Sequence, residues 1–411
     1  MPTDTPPLQP ITPAYHLRVL SDEQLATLKS ATLEILDEVG VHCPSHKALH
    51  IYAEHGARVD FVSQIVKLPP DVALDAISHA PRFYTMGARQ PAFDLKLDGT
   101  ALFCATDGCG VETIDFETRE RRSSVKEDCA RMARVIDYLS SVGFYWPIVS
   151  AQDFPATAPL HELDASFNNT VKHVQTETVM DERMAHYAVE MAKVIAGDEA
   201  TMRARPPSIS NSSTAQDEGG MESALTFAGA GLPVGFMSMA NTGSTAPATP
   251  AGTVVTADAE IVAAMVLIQL AYPGAPVYHS LMPGVMHPRT GAYLATAWEG
   301  QIMYAAGVEL AHMWGVPTLA GVFGTDAQTP GWQQAAESAA LLMLLALCVA
   351  DTGAGLGLLE CCTLRDQEDR AARPFLDGEA HPYSPARAGV LRYCRPARRK
   401  RRLPRPGRGG P

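Results

Sequence analysis

Residues 274–338 carry one pattern twice over: a short apolar run, a loop crowded with Gly, Pro, Thr, Asp and His, and then a long amphipathic stretch. The apolar runs are PVYHSLM at 276–282 and PTLAGVFG at 317–324. Strand, polar loop and helix in immediate succession form a βα unit. Repeated βα units demand a parallel sheet, either closed into a barrel or doubly wound. In both architectures ligands bind at the carboxyl ends of the strands, where these polar loops fall.

The same rhythm can be followed backwards and forwards from there. Strands are expected at 142–150, 172–179, 207–213, 233–240, 276–282, 317–324 and 353–362, with helices at 181–196, 257–272, 296–314 and 332–350 between them. Residues 96–122 alternate as a hairpin would, and one of its strands completes a set of eight. An α/β fold with a (β/α)8 TIM-type barrel over 96–362 is therefore expected, with a doubly wound sheet as the alternative. Ahead of it, 1–20 reads as a Pro-rich extended arm and 21–95 as a small α/β accessory region. That region opens on a capping box, Ser21 to Gln24, and a helix carrying Leu25, Leu28, Thr32, Ile35, Leu36 and Val39 on one face before Gly40 stops it. A further helix starts at Pro69-Pro70, and the β-branched run before it reads as strand. A second capping box, Ser124 to Glu127, opens a helix that aligns Cys129, Met132, Ile136 and Leu139.

After Cys362 the βα pattern collapses. Residues 385–411 hold ten Arg or Lys and no Asp or Glu. Either 363–411 is a disordered basic tail for RNA, a membrane surface or an acidic partner, or it is GC-rich message read out of frame; fold reasoning sets it aside in both cases. The chain as a whole has a net charge of -12, which argues against nucleic-acid binding. Its eight cysteines form no CxxC pair and read as free thiols of a reducing cytoplasmic compartment. The first ten residues lack the basic and apolar regions of a signal peptide, and the apolar run at 341–350 is too short to span a bilayer, so no membrane is expected. His42, Cys43 and His46, and the Cys361–Cys362 pair, lack a zinc-site spacing, so no metal site is expected.

Five stretches, in order, resemble the trimethylamine:corrinoid methyltransferase family. They are LSDEQLATLKSATLEILDEVGVHCPS, DFETRERRSSVKEDCARMARVIDYL, the long block from SMANTGSTAP to PGAPVYHS, MHPRTGAY and TDAQTPGWQQAAESA. The similarity runs from about residue 20 to about 362. Founding members of that family carry pyrrolysine. This chain shows ordinary residues only, so it is similar to the branch without pyrrolysine, which includes glycine betaine:corrinoid methyltransferases. The resemblance implies methyl transfer from a quaternary or tertiary methylated amine to the Co(I) corrinoid (cobalamin) of a cognate corrinoid protein, with no cofactor bound by this chain alone. Two other readings stand beside it: a corrinoid-independent barrel enzyme acting on a quaternary amine, and an inactive paralogue with a binding role.

Methyl transfer of this kind needs positioning and electrostatics more than acid–base chemistry, because a quaternary nitrogen leaves without a proton. The barrel should therefore supply a carboxylate or aromatic faces for the cation, and donors for a substrate carboxylate. Glu177, at the end of its strand, is a candidate for the cation, or else a polar residue of the barrel interior. Tyr278 and His279 are adjacent, so at most one faces the centre. Phe323 and Trp332 flank the GTDAQTPG loop as candidate cage walls, with core packing the alternative for Phe323. Asp326 in that loop either meets the amine or caps the helix near Trp332. Asn241 and Thr242 open a loop whose amide and hydroxyl either bind a carboxylate or make a turn. Arg289 pairs with a substrate or partner acid, or forms a structural salt bridge, and Glu360 ends the last strand. The acidic barrel with apolar outer helices is also expected to form a homo-oligomer.

Overall fold

The order in which the strands pair decides between the two architectures. In the computed structural model, which describes residues 5–357 except 109, 116, 119, 205–208, 215–216, 322 and 328–330, eight strands form one parallel sheet in sequence order. They are β1 (Phe103–Thr106), β2 (Val142–Tyr145), β3 (His173–Thr176), β4 (Ile209–Thr214), β5 (Val234–Ser238), β6 (Val277–Leu281), β7 (Leu319–Gly321) and β8 (Thr352–Leu356). β8 returns to pair with β1, and a parallel bridge from His279 to Thr318 joins β6 to β7, so the ring closes. A doubly wound sheet reverses strand order at its centre and has two free edges; this one does neither.

Among the described residues one long helix follows each of the first seven strands, α1 (Lys126–Tyr138), α2 (Ala158–Asn169), α3 (Glu182–Ala196), α4 (Glu218–Gly229), α5 (Pro250–Ala271), α6 (Trp298–Trp314) and α7 (Trp332–Leu347), and a short helix, Glu199–Ala204, follows α3. α5 starts seven residues earlier than its apolar periodicity suggests. Thr249 caps it, accepting from Gly252 N at 3.2 Å, and Pro250 takes the first helical position, where its missing N–H costs nothing. Its 22 residues are long and apolar enough to cross a membrane, but 78% of that window is buried inside the protein. β5 and β6 cover one side of it, and the helices Asp22–Glu34, His46–Glu54 and Pro70–Ser78 cover the other. A helix buried on both faces has no polar stripe to keep.

Ser21 and Gln24 form both bonds of the expected capping box, and the helix beyond ends at Gly40, whose φ of +85° suits glycine. The second box is displaced by one residue. Ser124 spends its hydroxyl on Ser150 O at 2.6 Å, while Asp128 reaches back to Val125 N at 3.0 Å. The hairpin reading of 96–122 is also corrected. Its first half is β1, which pairs with β2 and β8. The second half folds on itself as an antiparallel pair, Glu112–Ile114 with Arg121–Ser123. The expected strand at 142–150 stops at Tyr145, and the following segment pairs with the loop after β1, Gly110 donating to Ile148 O and Ser150 N to Gly110 O. The stretch beyond residue 357, with Glu360 and the basic tail, lies outside the described residues.

The four described cysteines, Cys43, Cys104, Cys129 and Cys348, are free and buried. Burial raises their thiol pKa values, to about 11 at Cys43 and Cys104, which keeps them protonated and inert.

Candidate functional site in the barrel mouth

Parallel strands all end on the same side, so the loops after β3, β5 and β7 meet at one mouth. Glu177, Asn241, Phe323 and Asp326 follow those strands, and Trp332 begins the helix after β7, so all five belong to that end of the barrel. Below them, side chains of alternate parity fill the lumen.

β3 fixes which parity that is. Val174 packs into the outer core, which turns His173, Gln175 and the half-buried Glu177 inward. His173 sits deepest. Its Nδ1 lies 2.7 Å from Gly87 O, and a carbonyl can only accept, so Nδ1 carries the proton. Nε2 lies 2.8 Å from Ser210 Oγ, so both ring nitrogens are engaged. On β4 the outward residues are Ile209 and Asn211, whose amide donates to Ser223 Oγ on α4; Ser210 and Ser212 face in.

β6 separates the two adjacent candidates. His279 turns outward. Its Nε2 donates to Asp258 Oδ1 of α5 at 2.8 Å, and the same carboxylate accepts from Trp314 Nε1 and from Thr32 Oγ1 at 2.6 Å. This fully buried cluster ties the first N-terminal helix to the barrel wall. Tyr278 turns inward, its hydroxyl 3.1 Å from Gln175 Oε1 and 3.2 Å from Asn211 O. Both neighbours are acceptors, so the phenol donates. Burial lifts its pKa well above the ordinary tyrosine range; nearby Ser212 and Ser210 oppose that rise and the Glu177 carboxylate adds to it. Gly235 on β5 makes room for the ring, since a Cβ there would overlap it.

The lumen is divided. The strands β3, β4 and β6 give it a polar side of His173, Gln175, Ser210, Ser212, Tyr278 and Ser280. The facing side is apolar: Phe103, Ala105, Phe144, Trp146 and Ala354 share one cluster with the Tyr278 ring. Ser212 Oγ stands close enough to the phenol to favour its ionised form, yet outside hydrogen-bond geometry. Gln175 Nε2, Ser212 Oγ, Ser280 Oγ and the hydroxyl of Tyr84, which is coupled electrostatically to Tyr278, are buried without a partner among the described residues. Each orphaned polar atom costs about 1–3 kcal/mol unless something else satisfies it.

The remaining candidates are placed around the rim. Asp326 accepts from Ala295 N at 2.9 Å and from Thr296 N and Oγ1 at 3.2 and 2.8 Å. Burial raises its pKa against those bonds. It therefore clamps the approach to α6, not the start of the helix at Trp332. Its own backbone N–H is held by Glu337 of α7 at 2.9 Å. Phe323 packs on Gly355 of β8. Trp332 is 84% exposed, so it forms no closed cage with Phe323. Asn241 pairs with Gly284 in a small ladder over the mouth, completed by Gly284–Met286 with Tyr293–Leu294. Thr242 turns to Thr253 of α5 at 2.9 Å, and Arg289 is exposed with no ion pair to a described residue.

Sequence reasoning passed over Trp146, Gln175, Ser212 and Ser280. Applying the parity rule to HVQTE as it was applied to Tyr278 and His279 finds Gln175. Trp146 lies in a run buried on both faces, which has no alternation to read.

Comparison with known proteins adds a second line. Residues 4–354 match the family described as Trimethylamine methyltransferase (MTTB). A trimethylamine methyltransferase MttB from Desulfitobacterium hafniense is 33% identical over 351 residues, covering 84% of this chain and 71% of that protein. A glycine betaine methyltransferase from the same species is 27% identical, covering 80% and 69%. Among solved structures, the dihydropteroate synthase of Yersinia pestis superposes with a TM-score of 0.39 at 11% identity, over 70% of this chain and 98% of that one.

Proposed function

The chain belongs to the trimethylamine methyltransferase (MTTB) family, and from that premise we propose that it transfers a methyl group from a methylated amine in the barrel mouth to the Co(I) corrinoid of a separate protein. One observation carries the reading: a half-buried carboxylate, Glu177, follows the inward face of β3 at the mouth of a lumen walled on its other side by Trp146 and Phe144. A small cation with an apolar shell is matched by that combination of carboxylate and aromatic surface. The corrinoid is the acceptor substrate; its reduced cobalt supplies the electron pair for the new bond to carbon, and the C–N pair stays with the departing amine.

The protein's share is then geometric and electrostatic. Glu177 holds the ammonium, and the lumen wall fixes which N-methyl faces outward for an in-line approach. Positive charge on nitrogen falls as the methyl leaves, so the carboxylate binds the ground state more strongly than the transition state. It serves affinity, and exclusion of water by the apolar wall serves rate. A quaternary substrate suits this site best, because it needs no acid beside the leaving nitrogen, and the lumen's imidazole, His173, is engaged by Gly87 and Ser210.

The acceptor has to reach the mouth from outside, and the rim suits a docked partner. Phe154, Met180, Met239, Trp298 and Trp332 all sit on the mouth-side loops or helix starts, with Trp298 72% exposed. Exposed large apolar side chains collected on one face are typical of an interaction surface. Incubating the chain with Co(I) corrinoid and either quaternary amines or trimethylamine tests the reading. Appearance of the methylated corrinoid by absorbance, with loss of one N-methyl by proton NMR, is expected for the quaternary compounds. Absence of both products with every amine would refute it.

A further inference from the structure

We propose that the polar side of the lumen is a subsite for a neutral oxygen function on the substrate's fourth arm, so that the preferred donors are hydroxyalkyl-trimethylammonium compounds rather than carboxylates. The inference rests on the amine-binding reading above and makes it specific.

Three of the partnerless atoms share the inward face of one arc of the barrel: Gln175 on β3, Ser212 on β4 and, across β5, Ser280 on β6. In the structure the Gln175 amide lies with Oε1 toward the Tyr278 phenol, and Nε2 is an unused donor. The two serine hydroxyls can each give or take a hydrogen bond. The set thus offers donors and acceptors together, as a hydroxyl requires.

Charge argues against an anion. The one fully buried lysine or arginine among the described residues is Lys172, whose ammonium points away from the lumen to carbonyls of Ile136, Leu139 and Val142. His173 is engaged by Gly87 O and Ser210 Oγ, and the Glu177 carboxylate couples to Tyr278 from within the mouth. A buried carboxylate here would lose its hydration and meet no fully buried lysine or arginine of the described residues that faces the lumen. A hydroxyl suffers none of these. Spacing agrees as well: Gln175 lies two residues deeper than Glu177, about 6–7 Å along a strand. An ammonium held at Glu177 therefore sends its longer arm inward and keeps its N-methyls toward the mouth.

Calorimetric titration of the full chain with three probes decides the matter: choline, the isosteric n-propyltrimethylammonium, and glycine betaine. Choline should bind about tenfold or more tightly than the propyl compound, the difference one satisfied hydrogen bond makes, with glycine betaine no tighter than the propyl compound. Ser212→Ala and Ser280→Ala should each shrink the choline-to-propyl ratio by at least threefold, a change that general destabilisation would not produce because both probes share the ammonium. Equal binding of choline and the propyl compound, preference for glycine betaine, or an unmoved ratio in both variants would overturn the subsite while leaving methyl transfer standing; the orphaned atoms would then hold only water. If no quaternary amine binds and none is demethylated, the amine-binding reading fails and the subsite with it.

Discussion

Lys172 offers a test in which the sign is as informative as the size. Its ammonium donates to Ile136 O at 2.7 Å, Leu139 O at 2.6 Å and Val142 O at 2.7 Å, closing the carboxyl end of α1 where the chain turns into β2. Burial nevertheless lowers its pKa from 10.5 to about 8, with Asp137 partly opposing the fall. That gap corresponds to roughly 3 kcal/mol by which the folded protein accommodates the ammonium less well than the unfolded chain does. Below pH 8 both states are protonated and the penalty is complete. Between pH 8 and 10.5 the unfolded chain keeps the proton that the folded one has shed, so stability rises with pH. Above 10.5 the penalty is gone. In Lys172→Met the effect is absent at every pH. Urea unfolding followed by circular dichroism, run on both proteins in steps from pH 7 to 10, cancels the titration of all other groups in the difference. The stability of the wild type relative to Lys172→Met should climb by about 2 kcal/mol by pH 9.5. A flat difference, or one that falls, would mean that the three carbonyls compensate the buried charge fully and that the argument from desolvation is wrong.

Glu177→Gln should raise KM for a quaternary amine by about tenfold and move kcat by less than threefold; a collapse of kcat at constant KM would show instead that the carboxylate acts in the transition state. His279→Ala should lower unfolding stability by about 2–4 kcal/mol, because Asp258 loses a buried partner, with KM unmoved; a KM effect without destabilisation would place the ring in the lumen after all. Gly235→Ala should cost at least about 2 kcal/mol or prevent soluble expression, since its Cβ would overlap the Tyr278 ring. Adding Tyr278→Ala should make the glycine substitution nearly silent, and simple additivity in thermal melts would contradict that contact.

The barrel could be read from the chain because each βα unit is local: its strand, loop and helix are consecutive, and α5 or α6 needs no distant partner to be recognised as a helix. What could not be read depends on closure. Whether Tyr278 or His279 faces inward follows from the position of Asp258, one helix earlier, and from the bridge joining β6 to β7. The strand ISNSST on β4 gives no hydrophobic alternation, because Ser210, Asn211, Ser212 and Ser213 are buried on both faces. Asp326 looks like a helix cap or a ligand contact in sequence, but its partners Ala295 and Thr296 lie some thirty positions away.

That last contact has a functional consequence. By holding the approach to α6 with its carboxylate while its own N–H is held by Glu337, Asp326 joins the loops after β6 and β7 into one unit. Those loops carry the ladder over the mouth and the exposed Trp298 and Trp332. Three of the roughly four acceptor sites of its carboxylate are already used, by Ala295 N and by Thr296 N and Oγ1, which holds the group to the loop. The geometry therefore favours Asp326 as the residue that sets the shape of the rim, and leaves recognition of the cation to Glu177, whose place on the inward series of β3 no rim residue shares.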